Sequence, residues 1–386
     1  MLTDIIALPP ILFIEKVAMP DWVDVLLRIV LFLAGGYLAG WTVMSAIRSF
    51  VLPRGDNVGL TRFVFRRMSQ VYRLMAKKAK TYAEQDRIMA MFAPVTLLLL
   101  PVIWLFLILI GYTMMFFALH EGTLYEAFKI SGSSLYTLGF FTVESLPSNG
   151  MAFFATIMEF TEATIGLGLI AIVISYLPTM YTAFSARETL VTLLEIRANS
   201  PPSAVELILR AHRIRGFDSL KELWATWEVW FAQIEESHTS LFALNLFRSP
   251  QPERSWITAA GAVLDGAALM HAAVDAPRNS ESQLCIRAGY VALRHIADFF
   301  RIPYTANPNF GDYISITREE FEEALDQLAA NGVPLKPDRD QAWKDFSGWR
   351  VNYDTVLLGL CELVMAPYAP WSSDRGLQRS VFKIMK

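Results

Sequence analysis

Three long apolar runs set the strongest limit on what this chain can fold into. Residues 89–119 contain no charged side chain, and residues 29–47 are equally free of charge. A third run begins near Gly150 and continues beyond Leu177. About 20 apolar residues in a helix cross the hydrocarbon core of a bilayer, so each run predicts a membrane-spanning helix. The chain is therefore expected to be a mainly α, polytopic membrane protein.

The composition fits this class and excludes others. The chain has 386 residues, of which 54% are hydrophobic and 18% charged, and a formal net charge of −3. Because binding to nucleic acid usually requires a clear basic excess, no nucleic-acid partner is expected. The sequence contains no Walker A, GxSxG or HExxH motif, so neither an enzyme nor a cofactor is expected. The two cysteines, Cys285 and Cys361, lie far apart and are expected to be free thiols.

The segments around the first apolar run differ in charge. Residues 1–20 are apolar but broken by prolines and acidic residues, which favours a segment at the membrane interface, and residues 21–48 form the first expected span. Residues 49–88 form a basic cytoplasmic linker, because a basic excess beside a span places a loop in the cytoplasm. We therefore expect the plasma (inner) membrane, with the N-terminus outside and the C-terminus in the cytoplasm.

The basic linker has two interpretations. It can act only as a topological signal, or it can also bind anionic membrane lipids through their headgroups. Each basic side chain close to such a surface contributes about 1 kcal/mol to binding. The basic side chains of this region are Arg48, Arg54, Arg62, Arg66, Arg67, Arg73, Lys77, Lys78, Lys80 and Arg87.

A hydroxyl-rich turn interrupts the apolar sequence between the second and third runs. It follows a loop expected from His120 to Lys129, and it reads Ser-Ser-Leu-Tyr-Thr-Leu-Gly-Phe from Ser133 to Phe140. Non-helical backbone at membrane depth persists only where protein buries it or where it lines an aqueous cavity. Carbonyl and hydroxyl groups turned towards such a cavity can replace the hydration shell of a cation. The turn is therefore a candidate cation-binding segment.

The order of these parts resembles the pore module of the potassium-channel superfamily, in which an outer helix, a short pore helix, a filter and an inner helix follow one another. The resemblance covers residues 89–186 as a pore module. Thr137, Leu138, Gly139 and Phe140 match the family's Thr, Val, Gly and Tyr positions. The resemblance implies a homotetramer around one path for a monovalent cation, K⁺ or Na⁺. It also implies the Thr137 hydroxyl and the Leu138 and Gly139 carbonyls as ligands.

Phe141 departs from the family pattern, which has glycine at this position, and Thr142 replaces the family's aspartate. Glycine is needed there because the filter backbone visits positive φ, a region that bulky residues rarely adopt. Either the upper part of the filter has a different backbone, or its outermost ion sites are lost. Potassium selectivity therefore does not follow from the resemblance, and weakly selective conduction stays open.

Three glutamates near the turn are candidates for a mouth or filter-support role. Glu144 follows the filter and would form a ring of carboxylates in a tetramer, or it is a solvated loop residue. Glu159 and Glu162 lie three residues apart on one face of the inner helix, where ionisable groups by default face a bundle interior or an aqueous cavity. The family implies that Glu159 supports the pore helix from behind. For Glu162 a cavity role and a filter-support role are both open.

Small residues and one proline predict where the helices pack or bend. Within the inner helix, Gly166, Gly168 and Pro178 are candidate gate hinges, with close helix packing as the alternative. The first span has its own set of small residues, which either form a packing face or are ordinary membrane glycines. These are Gly35, Gly36 and Gly40.

The pattern of residues 187–386 indicates a helical cytoplasmic domain. The inner helix is expected to continue to about Arg197 and to end before Ser200-Pro201-Pro202. The sequence shows no strand alternation and no GxGxxG motif, which argues against a Rossmann domain. Capping boxes, in which Ser or Thr precedes Glu by three residues, are predicted at Ser203, Ser219 and Thr317.

Two further side-chain patterns in this domain favour packing over chemistry. Trp224, Trp227 and Trp230 do not recur on one strict helix face and are expected in the core. Glu235 and His238 have the spacing of one carboxylate–histidine metal pair, but carboxylate-bridged sites need a second pair, which the sequence lacks. A packing or surface histidine is therefore expected, and no metal site beyond the permeant cations.

Two functions of different classes remain. The first is a homotetrameric cation channel, with potassium as one candidate ion and the C-terminal domain as a regulatory domain. The second is a non-conducting, channel-like scaffold or sensor, whose helical cytoplasmic domain binds a partner or ligand. Phe141 supports the second, because a filter without its second glycine can be sealed.

Overall fold

The computed structural model describes most of the chain, and helices account for its regular structure. The described residues contain thirteen α-helices, a short 3-10 helix at Phe242–Leu246 and one isolated β-bridge between Val274 and Leu335. The expected mainly α class is confirmed. The described residues are 21–50, 59–119, 122–143, 151–214, 216–277 and 279–375.

The helices belong to two compact units. The first draws its described residues from Met1–Ala46 and Val102–Ala171, and the second from Ile47–Pro101 and Ile172–Lys386. The first six helices are α1 (Asp21–Phe50), α2 (Gly59–Ala76), α3 (Tyr82–Ala90), α4 (Phe92–Leu119), α5 (Leu124–Leu135) and α6 (Met151–Ala198). The others are α7 (Ala204–Ile214), α8 (Ser219–Ser240), α9 (Trp256–Ala273), α10 (Ser280–Phe300), α11 (Arg318–Ala330), α12 (Arg339–Arg350) and α13 (Asp354–Val364).

Four helical stretches of the described chain are long and apolar enough to cross a membrane. Three of them, Asp21–Phe50, Tyr82–Leu119 and Ala152–Ala198, coincide with the three apolar runs of the sequence. The fourth, Trp256–Ala273, has 94% of its residues buried inside the protein, so we assign it to the core of the second unit. These helices support a membrane protein.

Helices α1 and α4 approach each other most closely at two glycines. A Cβ atom at Gly35 would overlap the Gly111 carbonyl oxygen, and one at Gly111 would lie 2.8 Å from the Gly35 carbonyl oxygen and 3.2 Å from Ala39 Cβ. Small residues at such a crossing let two helix backbones come close within a membrane. A Cβ at Gly36 would be in ordinary contact with Met115 of α4 at 3.9 Å, and one at Gly40 would have no neighbour within 4 Å. The tightest part of the packing face of α1 is therefore Gly35 and Ala39.

A capping box starts α5. Thr123 Oγ1 accepts a hydrogen bond from the Glu126 amide at 3.3 Å, and the Thr123 amide donates to Glu126 Oε2 at 2.8 Å. These reciprocal bonds satisfy two amides that a helix N-terminus otherwise leaves unpaired. The helix begins at Leu124, so the loop expected from His120 to Lys129 is wrong from Leu124 onward.

The long helix α6 ends where the sequence predicts. It continues through Pro178 and stops at Ala198, before the two prolines at positions 201 and 202. Near this end the buried Arg187 side chain donates to the carbonyl oxygens of Leu244 and Phe247, each at 2.8 Å, and pairs with Glu188. The last turns of α6 are therefore fixed within the second unit by a fully partnered guanidinium group.

The core of the second unit contains the tryptophans of α8. Trp224, Trp227 and Trp230 are each at most 3% exposed, which confirms their predicted packing role. A buried ionic cluster lies elsewhere in this unit: Arg350 contacts Asp265 at 2.6 Å and Asp354 at 2.7 Å. Because removing one member leaves a buried charge without a partner, this cluster strongly constrains how α9, α12 and α13 pack.

The three predicted capping boxes have different outcomes. The one at Thr317 is confirmed, since its hydroxyl and the Glu320 carboxylate make both reciprocal bonds. The one at Ser219 is wrong, because Ser219 lies inside α8 and its hydroxyl donates to the Gly216 carbonyl oxygen. Ser203 makes only half of a box, because its amide donates to the Ala198 carbonyl oxygen.

Candidate functional site

The turn that follows α5 begins with three backbone hydrogen bonds. The Tyr136 amide donates to the Gly132 carbonyl at 3.2 Å, and the Thr137 amide donates to the Ser134 carbonyl at 2.9 Å. The Leu138 amide then donates back to the Ser133 carbonyl at 2.8 Å. These bonds use the amide protons of the turn to close the last turn of α5. The chain from position 137 onward therefore leaves the helix with its carbonyl groups available.

Two alternate residues of this turn have left-handed backbone conformations. Thr137 has φ +55° and Gly139 has φ +71°. Glycine adopts this region freely, but a β-branched residue there is an outlier that costs on the order of 1–3 kcal/mol. Such strain persists only where the surrounding structure imposes it, and it is concentrated at functional sites. Thr137 and Gly139 are two of the positions that match the family's filter.

The carbonyl groups of the turn have no hydrogen-bond donor among the residues that the structure describes. None of the backbone or side-chain hydrogen bonds of the described chain ends on the carbonyl oxygens of Thr137, Leu138, Gly139 or Phe140. This segment is also exposed in the single chain, with Phe140 at 77%. A backbone carbonyl is a strong hydrogen-bond acceptor, so these groups can accept from a partner outside the described residues.

Phe141 does not have a positive φ, the conformation that a bulky residue rarely adopts. It is absent from the described residues with positive φ, so the alternation seen at Thr137 and Gly139 stops before it. Its amide donates to the Ser133 hydroxyl at 3.1 Å, and its ring lies 4.5 Å from Lys129 Nζ. Both contacts are with α5. The left-handed conformations of the turn therefore end at Gly139, and the Phe141 ring packs against α5.

Two glutamates of α6 bond to the residues around the turn and to α5. Glu159 Oε1 accepts a hydrogen bond from the Val143 amide at 2.9 Å, just after the turn. Glu162 is fully buried, and its Oε1 lies 2.5 Å from the Ser131 hydroxyl of α5. The same hydroxyl lies 3.1 Å from the Leu109 carbonyl oxygen of α4. Three helices thus meet at Ser131, beneath the candidate filter.

The predicted glutamate at the pore mouth cannot be placed. Glu144 lies outside the described residues, so the carboxylate ring stays a prediction. The described residues before it end at Val143, whose amide donates a hydrogen bond to Glu159 Oε1.

The three candidate hinge residues of α6 have different surroundings. A Cβ atom at Gly166 would overlap the Leu135 carbonyl oxygen at the end of α5 and lie 3.2 Å from Leu135 Cδ1. Gly168 has nothing within 4 Å of such an atom. Gly166 is therefore a close-packing position, whereas Gly168 and Pro178 keep the hinge interpretation open. Pro178 lies inside the continuous helix and cannot donate a backbone hydrogen bond to the preceding turn.

Helix α6 also presents a regular apolar stripe to its surroundings. The side chains recur every seven residues, and each is between 58% and 74% exposed. A seven-residue repeat keeps one seam of a helix turned towards a neighbouring helix. The stripe consists of Phe153, Phe160, Leu167, Ile174 and Tyr181.

Three side chains that shape this region have partners that the sequence pattern does not give. Ser131 and Ser133 bond the inner helix and the turn, and Lys129 lies over the Phe141 ring. Hydroxyl residues in the last turn of a helix are a known signal for local backbone bonding, but the sequence does not show which partner each one takes. The partner of Lys129 depends on the fold of the turn and has no sequence signal.

The remaining chemical candidates are structural. His238 is fully buried beside Arg187, and burial lowers its pKa well below the usual range, as does the neighbouring guanidinium. Glu235 contacts His295 at 2.6 Å, so it does not pair with His238. Within the described ranges, no group of three or more His, Cys, Asp or Glu side chains is placed to hold a metal ion.

The chain was also compared with known proteins. No protein-family model, curated protein or solved structure matches it.

Proposed function

We propose that this protein is a homotetrameric membrane pore for monovalent cations, K⁺ or Na⁺, with Thr137–Phe140 as its filter. The single observation that carries the proposal is the turn after α5. Its carbonyl groups lack donors within the described chain, and two alternate residues are held in left-handed conformations. A cation entering the turn would exchange hydration water for the Thr137 hydroxyl and the Leu138 and Gly139 carbonyls.

A single copy of the turn cannot surround an ion, so the proposal requires several copies around one axis. The resemblance to the potassium-channel superfamily gives four. The exposed stripe of α6 supports assembly, because its seven-residue repeat fits packing against a neighbouring helix. On assembly, the stripe of α6, the turn and α5 would then all be buried. The membrane location, with the C-terminus in the cytoplasm, belongs to the same proposal.

Phe141 defines what kind of pore is proposed. Since the left-handed alternation stops at Gly139, the filter has fewer carbonyl sites than one with a second glycine. Since the Phe141 ring packs on α5 beneath Lys129, it is not proposed as a plug of the path. We expect conduction with weak discrimination between K⁺ and Na⁺. A reversal potential at the potassium equilibrium value in mixed salts would refute the weak selectivity.

The test compares cation flux through two glycine variants in liposomes that contain the purified protein. Gly139→Ala places a Cβ at φ +71° and should abolish flux, because L residues resist this conformation. Gly132→Ala is the matched control: it lies in α5, its nearest Cβ contact would be an ordinary 3.8 Å to Leu109, and it should keep wild-type flux. Equal flux in the two variants would contradict the filter assignment.

The second candidate is a non-conducting sensor, and one feature of the second unit favours it. A groove of about 260 Å³ opens between the start of α7 and α11. Its lining includes Ser203, Glu320, Glu323 and Trp371. Binding of a ligand there without any flux in wild type or in Phe141→Gly would favour the sensor. Flux in wild type would exclude it.

A further inference from the structure

Helix α2 lies beside the ends of two candidate membrane spans. Its Thr61 hydroxyl lies 2.6 Å from the Ser49 hydroxyl in the last turn of α1. The rings of Phe65 and Tyr72 pack against Phe92, the first residue of α4, with centroid distances of 6.0 and 5.7 Å. If α1 and α4 span a bilayer, these contacts put α2 at the level where the chain leaves it after α1 and enters it again at α4.

The outward face of α2 has an apolar half. Phe63, Val71, Leu74 and Met75 are 54%, 49%, 61% and 48% exposed. At 3.6 residues per turn they fall within an arc of about 120°, which adjoins the buried residues of the helix. An exposed apolar surface of this kind marks a place of contact with a partner or a membrane.

The other half of the outward face is basic. Arg62, Arg66 and Arg73 lie on the adjacent arc, and the whole helix contains no acidic residue. Arg67 lies over the Phe63 ring, with its guanidinium carbon 5.2 Å from the ring centre. A long basic side chain that covers an apolar surface and presents its charge beyond it is typical of residues at a membrane interface.

We propose that α2 is a docking surface for an anionic lipid bilayer. Its apolar half would enter the boundary between headgroups and acyl chains, and its arginines would bind lipid phosphates. A second copy of the chain is the weaker candidate for this face, because a symmetric contact between two α2 helices would bring like charges together. The proposal needs only that the chain is embedded in a membrane, so its outcome is separate from whether the pore conducts.

The test measures the membrane depth of α2 in the full-length protein. A nitroxide label is placed at Leu74→Cys, and at Val229→Cys in α8 as an exposed control site. The native thiols of Cys285 and Cys361 are buried, so the introduced cysteine takes the label. Each protein is reconstituted into vesicles of phosphatidylcholine with or without phosphatidylserine. Collision of the label with dissolved oxygen and with a water-soluble nickel complex then reports its depth.

In vesicles with phosphatidylserine, the label at position 74 should be reached by oxygen and shielded several-fold from nickel relative to position 229. Replacing Arg62, Arg66 and Arg67 by glutamine should remove most of that shielding. The control replaces three exposed cations elsewhere in the second unit, Lys221, Arg287 and Lys344, and should leave the shielding intact.

Four results would overturn the proposal. Nickel access at position 74 equal to that at position 229 would mean that α2 does not enter the interface. Shielding that is the same without phosphatidylserine, or unchanged in the arginine variant, would exclude recognition of an anionic surface. Exclusion of both oxygen and nickel would show that protein, such as a second copy, covers this face.

Discussion

The contact between α5 and α6 allows one prediction to be worked out in detail. Gly166 lies where a Cβ atom would overlap the Leu135 carbonyl oxygen, while a Cβ at Gly168 would have nothing within 4 Å. The two glycines are two residues apart in the same helix. Gly166→Ala and Gly168→Ala therefore form a matched pair that differs only in the space around the added methyl group.

The expected difference in stability between the two variants follows from two effects. Alanine stabilises a helix interior relative to glycine by about 0.5–1 kcal/mol, and this gain applies at both positions. An added methyl group in a filled contact costs about 1–3 kcal/mol, and only Gly166 has such a contact. The gain of alanine over glycine in the helix is the same in both variants and cancels between them. Gly166→Ala should therefore be less stable than Gly168→Ala by about 1–3 kcal/mol.

The assay is the thermal unfolding midpoint of both variants in one detergent, together with their cation flux in liposomes. Gly166→Ala should unfold at a lower temperature than wild type and lose flux, because the end of α5 must move. Equal midpoints for the two variants would refute the close approach of α6 to Leu135. A stable Gly168→Ala protein with strongly reduced flux would instead identify Gly168 as a hinge.

Three further predictions concern the second unit. Arg350→Met leaves two buried aspartates without their cation and should lower stability by about 3–5 kcal/mol, measured as a shift of the thermal midpoint. Burial opposes ionisation of Glu320, but its contacts with Arg375 hold the pKa of Glu320 below the ordinary 4.5. A carboxylate whose pKa is lowered by folding stabilises the folded state at pH values above its unfolded pKa. This contribution should be lost as pH falls below about 4.5, so Glu320→Gln should flatten the decline in stability between pH 6 and 3. Burial raises the pKa of the Cys361 thiol to about 12, so a maleimide should label it at pH 8 only after unfolding; rapid labelling of the native protein would contradict its burial.

The sequence predicts the helices of this protein better than it predicts their contacts. The apolar runs and the prolines at positions 201 and 202 determine where long helices can exist, so the extent of α6 could be read directly. The start of α5 was also encoded, since Thr123 and Glu126 have the spacing of a capping box. Ser219 has the same spacing with Glu222 and makes no box, because the helix had already begun. Spacing alone cannot distinguish these two cases.

Side-chain partners could not be predicted because they depend on how helices turn towards each other. Three glycines of α1 indicated a packing face, yet Gly35 alone is tightly packed against α4. A Cβ at Gly36 would be in ordinary contact with Met115, and one at Gly40 would face open space. At the candidate filter, the sequence showed that Phe141 departs from the family's glycine and left open how the upper turn is built. It could not show that the ring would pack beneath Lys129 or that Ser133 would hold the amide, because both depend on the path of the turn.

The central claim is that Thr137–Phe140 binds monovalent cations at the axis of a tetramer. The most direct measurement is a structure of the assembled protein in a membrane mimic, with Rb⁺ as the only monovalent metal cation. We expect four chains around one axis, with Rb⁺ density within coordination distance of the Thr137 hydroxyl and the Leu138 and Gly139 carbonyl oxygens. An assembly without fourfold symmetry, or a fourfold assembly whose turn holds no Rb⁺, would contradict it.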